Sequence, residues 1–148
     1  NIIGYDPLIS AEEISRRGGR PVTLDALLAE SDVITLHIPL TPESRNLLNA
    51  EAFAKMKDGV RIVCAARGGV LDEDALLAAL ESGKVAAAGL DVFATEPPGA
   101  TALVTHPRVI CTPHIGAQTV EAQQRAAVDI ASEVLAALRG DALRWRVA

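Results

Sequence analysis

Five ionisable residues stand where an apolar, β-compatible run gives way to a turn: Asp6, Arg67, Asp91, Glu96 and His114. An arginine presents a planar fork of fixed charge that grips a carboxylate or phosphate at two points. A histidine beside a carboxylate exchanges a proton near neutral pH, because the acid fixes the tautomer and strengthens proton binding by the ring. Arg67 is the central member of the set. Val60 to Ala66 is mostly apolar, Gly68-Gly69 turns the chain, and Asp72 is a good N-cap for the helical pattern Ala75, Leu76, Leu77, Leu80. Arg67 therefore sits just past the carboxyl end of a strand, the edge at which open parallel α/β sheets bind ligands. The alternative is an arginine on a surface loop.

The other members also carry two readings each. Asp6 ends a strand and can accept both hydroxyls of an adenosine ribose, or it can start an Asx-type turn before Pro7. His114 follows a strand and a proline and precedes Gly116, so its ring can enter a crevice with Glu96 as partner. Equally, His114 can cap a backbone group while Glu96 is solvated. His37, inside an apolar strand beside Pro39, and His106, in a polar loop before Pro107, are poorer candidates. Cys64 and Cys111 each end an apolar run and lack the paired spacing of a zinc site or a disulfide framework. Both read as buried, reduced thiols, and no metal is expected.

The elements that must position these residues alternate. Asn1 to Pro7 reads as a strand, so the chain opens mid-strand. Ser10 with Glu13 makes a capping box for a short helix that ends at Gly18-Gly19, and Pro21 to Thr23 is a second, short strand. Leu24, Leu27 and Leu28 form a helix face, Asp32 to Ile38 a strand stopped by Pro39, and Thr41 to Ser44 a loop. Asn49 caps a helix from Ala50 to Lys57. After the central strand and its helix, Val85 to Val92 is a continuous apolar run that reads as a strand covered on both faces. Val109 to Thr112 is a short strand, and a long helix runs from Thr119 to Gly140. The tail from Asp141 to Ala148 has no period and is expected to belong to a neighbouring element or subunit. This alternation predicts an α/β fold with a parallel sheet and flanking helices, all five ionisable residues lying on its carboxyl edge.

Composition narrows the partners. With 148 residues, 49% hydrophobic and 22% charged, the chain can bury one core of ordinary size. One Trp, one Tyr and two Phe are too few for a platform on which bases stack. A net charge of -5 with no dense basic tract argues against nucleic acid or an anionic membrane surface as the main partner. No charged-then-apolar leader opens the chain and no apolar stretch reaches about 18 residues. A cytoplasmic location is the default expectation.

Three stretches together resemble the D-isomer-specific 2-hydroxyacid dehydrogenases, over nearly the whole chain. They are Ala65-Ala66-Arg67-Gly68-Gly69-Val70-Leu71-Asp72-Glu73, then Ala88-Gly89-Leu90-Asp91-Val92-Phe93 with Glu96-Pro97-Pro98, then Thr112-Pro113-His114-Ile115-Gly116-Ala117, in the family's order and spacing. Thr119 to Gln123 is similar to the phosphoglycerate dehydrogenase branch. The resemblance implies a Rossmann-like NAD-binding domain, with Arg67 orienting substrate, His114 as general acid/base and Glu96 as the acid behind it. It implies that Asp6 and Pro7 meet the adenosine ribose of NAD and that Ile38 and Pro39 line its adenine side. Ala65, Ala66, Arg67, Asp91, His114, Gly116 and Ala117 would border the nicotinamide half.

Two departures qualify the resemblance: Cys64 stands where the family usually has asparagine, and no GxGxxG loop occurs in the chain. The family's first strand, that loop and the helix behind it are expected to be missing, leaving the sheet incomplete at its N-terminal side. Residues 1–140 would then be a partial NAD-binding domain and 141–148 a tail leading toward a substrate domain. The implied activity is oxidation of a small-molecule D-2-hydroxy acid, 3-phosphoglycerate first, by a homo-oligomer. A glyoxylate or hydroxypyruvate reductase and a non-catalytic corepressor-like NAD-binding protein are the rivals.

Overall fold

In the computed structural model, which describes residues 1–145, every helix starts on a side chain that accepts a backbone N–H three residues further on. Ser10 starts α1 (Ala11–Arg16), Thr23 starts α2 (Leu24–Glu30), Asn49 starts α3 (Ala50–Lys55), Asp72 starts α4 (Glu73–Glu81) and Thr119 starts α5 (Val120–Arg139). Each such bond satisfies one N–H that the helix itself cannot. The capping box at α1 is only half made. Glu13 binds Arg16 and Arg17 at 2.7 Å instead of returning to Ser10, since bonds to a guanidinium are stronger than one to a neutral N–H. Removing a cap is a measurable loss: Asp72→Ala should lower stability by about 1 kcal/mol in urea unfolding with an unchanged m-value.

The chain forms two units, Asn1–Pro113 and a second beginning at His114. The first unit holds two parallel sheets. One pairs β1 (Ile3–Gly4) with β2 (Arg20–Pro21). The other has the order β3 (Val33–Leu36), β4 (Val60–Cys64), β5 (Val85–Leu90), β6 (Val109–Cys111), each strand lying beside the next in sequence. Both sheets are parallel and carry helices between their strands, so the fold is α/β and Rossmann-like. Ile34, Leu36, Val60, Ile62, Val85 and Leu90 face inward with Leu28, Phe53, Leu76 and Leu80 from the helices. Complete burial of such a side chain contributes roughly 1.5–3 kcal/mol.

The opposite face of the larger sheet is open. Val33, Val63 and Ile110 are exposed, and in β4 burial alternates strictly along the strand. β5 is therefore not covered on both faces as its apolar run suggested; Ala86, Ala87 and Gly89 are only half-buried. Strands β3 and β4 also stop two residues short of the expected ends, at Leu36 and Cys64. Pro39 has no N–H to extend a ladder, and past Cys64 the chain turns toward Arg67. Residues 37–39 and 65–67 are thereby released from the sheet.

The second unit contains α5, which closes at Gly140 in the left-handed conformation, φ 75°, where a side chain would be strained. No residue of α5 is buried. The described part of the tail folds back on this helix, with the Arg144 and Trp145 N–H groups donating to the Glu133 carboxylate. Arg146 to Ala148 lie outside the described residues.

Candidate active site

Because β3 to β6 run parallel, the segments leaving them emerge at one edge. After β4 the chain makes the Arg67 turn. Arg67 Nη1 donates to the Ala66 carbonyl at 2.7 Å, which orients an exposed guanidinium against its own strand end. Gly69 takes φ 85°, and its carbonyl accepts the Asn46 N–H at 2.8 Å. Ala66 and Val70 on either side are buried, so the turn is anchored in the core.

After β5 comes the segment that carries Asp91 and Glu96. Asp91 is buried; its N–H donates to the Cys64 carbonyl at 2.9 Å, and its carboxylate accepts the Thr112 hydroxyl that follows β6. The Phe93 N–H donates to Glu96 Oε1 at 3.0 Å. Gly68 lies directly under this segment: a Cβ there would fall 1.8 Å from the Phe93 carbonyl oxygen. The Arg67 turn and the Glu96 loop are thus packed backbone against backbone.

A cleft of about 270 Å³ opens at the same edge, lined by His37, Ile38, Pro39, Ala65, Ala66 and Arg67. Five of these six were expected from sequence; His37 was not. It is exposed beyond the end of β3, with Nε2 2.8 Å from Thr35 Oγ1. Two signals pointed there. Pro39 ends the strand early, and the two-residue period puts His37 on the face opposite Leu36. The exposed lining of this cleft is more polar than apolar and carries a guanidinium at one side, which suits a hydrogen-bonding, anionic ligand, so the residues present fit part of a dinucleotide.

Asp6 follows β1, and its Oδ1 accepts the Leu8 N–H at 2.8 Å, so the Asx-type turn before Pro7 is formed. His114 opens the second unit with φ 57°, a left-handed conformation unusual for a side chain-bearing residue. Gly116 and Ala117 follow it, and the Ala117 carbonyl accepts the Gln123 amide at 3.2 Å. His106 Nδ1 accepts the Arg108 N–H at 3.1 Å. Cys64 is buried, and burial is the main cause that pushes its thiol pKa up; the Ala66 backbone pulls the other way and the Glu73 charge adds to the rise. Such a thiol is a poor nucleophile. Cys111 is only half-buried, which corrects the expectation that both thiols are fully enclosed.

Residues 1–116 match the family described as D-isomer specific 2-hydroxyacid dehydrogenase, NAD binding domain. The chain belongs to that family. It is 50% identical over 139 residues to the D-3-phosphoglycerate dehydrogenase of Synechocystis sp. and 49% identical over 136 residues to that of Bacillus subtilis. These alignments cover 94% and 92% of this chain but 25% and 26% of the relatives, so the chain spans about a quarter of their length. Among solved structures, a D-lactate dehydrogenase of Treponema pallidum superposes with a TM-score of 0.91 at 35% identity, over 100% of this chain and 48% of that one. A glyoxylate reductase of Paecilomyes thermophila gives 0.83 at 41% identity, over 91% and 41%. The Aquifex aeolicus D-lactate dehydrogenase, solved with NAD and lactic acid, gives 0.80 at 37%, over 90% and 45%. In this family the cleft beside Arg67 belongs to an NAD binding domain, and among the described residues no helix is long and apolar enough to cross a membrane.

Proposed function

We propose that the complete protein is an NAD-dependent dehydrogenase that oxidises a D-2-hydroxy acid, and that this acid is 3-phosphoglycerate. The observation that carries the reading is the Arg67 guanidinium, held against the Ala66 carbonyl at the mouth of a cleft on the carboxyl edge of a parallel sheet. The choice of acid is supported by the name shared by relatives near 50% identity. A second reading, oxidation of lactate or reduction of glyoxylate, is favoured by the solved structures, though at lower identity. Two free cysteines suit a reducing compartment such as the cytoplasm.

In this proposal Arg67 grips the substrate carboxylate at two points and polarises the carbonyl oxygen as it forms. His114 accepts the proton of the 2-hydroxyl, and Glu96 holds the charged imidazole that results. Asp6 and Pro7 meet the adenosine ribose, and Ile38 and Pro39 the adenine side. Ala65, Ala66, Asp91, Gly116 and Ala117 border the nicotinamide. NAD, when bound, supplies the hydride acceptor; the chain supplies orientation and charge.

Turnover of the complete protein with 3-phosphoglycerate, D-lactate and glyoxylate tests the choice of acid. The highest kcat/KM is expected for 3-phosphoglycerate, and a clear preference for either other acid would reject it. Arg67→Lys tests the site, because an ammonium cannot reproduce the planar grip. It should lower kcat/KM for the acid about a hundredfold and leave NAD affinity nearly unchanged, as measured by steady-state kinetics and calorimetry. Undiminished kcat/KM would remove Arg67 from the substrate site.

A further inference from the structure

One half-buried carboxylate at this edge has no role in the mechanism above. Glu73 is the first residue of α4, and attraction to the helix N-terminus would by itself account for an acid there. Its side chain does something more specific. Oε1 accepts the Ala94 N–H at 2.6 Å, joining residues 21 positions apart. With Arg67, Gly68 and Val92 it lines a cavity of only about 10 Å³, so the two segments close tightly around it. Ala94 is the residue after Phe93, whose carbonyl rests on Gly68 and whose N–H is held by Glu96. Consecutive N–H groups of one loop are thus taken by two carboxylates, one from the Arg67 side and one from the loop itself.

We infer that Glu73 is a positioning residue that ties the Glu96 loop to the Arg67 turn, and that it acts on turnover through Glu96 without touching substrate or cofactor. The inference rests on the reading of Glu96 as the acid behind the general base. Asp91, Val92 and Phe93 are buried whereas Ala94 to Glu96 are exposed, so the Ala94 bond to Glu73 lies where the anchored part of the loop passes into the stretch that carries the Glu96 carboxylate. A displacement of about 1 Å in such a group is enough to slow catalysis severely.

Two substitutions in the complete protein separate this tie from a helix-end charge effect. Glu73→Asp keeps the charge at the start of α4 but is one methylene too short to reach Ala94. Glu73→Gln removes the charge and keeps an acceptor oxygen in place. We expect Glu73→Asp to lower kcat about tenfold with an unchanged KM for NAD, and Glu73→Gln to stay near the parent. The opposite order, with aspartate tolerated and glutamine impaired, would overturn the tie. A second arm places Glu73→Asp in a Glu96→Gln background, where it should cause no further loss, because residues acting through one another are not additive. An equal loss in both backgrounds would overturn action through Glu96. If Glu96→Gln alone leaves kcat intact, the catalytic reading of Glu96 fails and the inference falls with it. If that variant is slow while Glu73→Asp is normal, the inference alone is rejected.

Discussion

Replacing His114 with glutamine in the complete protein should lower kcat about a hundredfold or more while NAD affinity stays nearly constant. Glutamine can hydrogen-bond a hydroxyl but cannot take its proton near neutral pH, so orientation survives and proton transfer does not. The backbone requires a control. His114 has φ 57°, a conformation that histidine and asparagine tolerate better than most residues, and glutamine carries a strain that is not chemical in origin. His114→Asn accepts the same backbone and equally lacks a titratable ring. Matching losses in the two variants, read from the rate of NADH formation, would assign the effect to proton transfer. A kcat within about threefold of the parent in either variant would remove His114 from that role.

The second large effect is structural. Gly68→Ala introduces a Cβ at 1.8 Å from the Phe93 carbonyl oxygen, 2.3 Å from its carbon and 2.8 Å from the Ala94 nitrogen. These are backbone atoms, which cannot swing aside as the tip of a side chain can. The constraint is space, in contrast to the neighbouring Gly69, where φ 85° is itself the requirement. Either the Arg67 turn or the 91–96 loop must shift, and the cost should be about 3 kcal/mol, at the upper end of overpacking penalties. Urea unfolding measures that loss directly. Turnover should fall as well, because Arg67 and Glu96 stand on the two segments forced apart. A variant within about 0.5 kcal/mol of the parent would show that the close approach of Gly68 and Phe93 is not rigid.

The local features were legible in the sequence. Ser10, Asn49 and Asp72 cap the helices they precede, and α5 ends at Gly140, because each of these signals acts over three or four residues. The parallel α/β character was equally legible, since apolar strand runs alternate with helical periods. Arg67, Ala65, Ala66, Ile38 and Pro39 share a cleft for the same reason: each leaves a strand at its carboxyl end.

What the tertiary structure alone decided depends on residues far apart in the chain. The strand order separated β1 and β2 from the larger sheet, and the placement of the helices left Val33, Val63 and Ile110 exposed, which no single run of apolar residues records. His37 read as a strand interior residue until the early end of β3 turned it toward the cleft. Cys111, which ends an apolar run just as Cys64 does, is less enclosed because β6 is the edge strand, whereas β4 has neighbours on both sides. Glu73 is the clearest case. Its sequence neighbourhood describes a helix start, and only the packing of the Gly68 turn under Phe93 brings the Ala94 N–H within reach. Short-range chemistry is written in spacing, whereas a hydrogen bond across 21 residues exists only once strand order and loop packing have brought its two ends together.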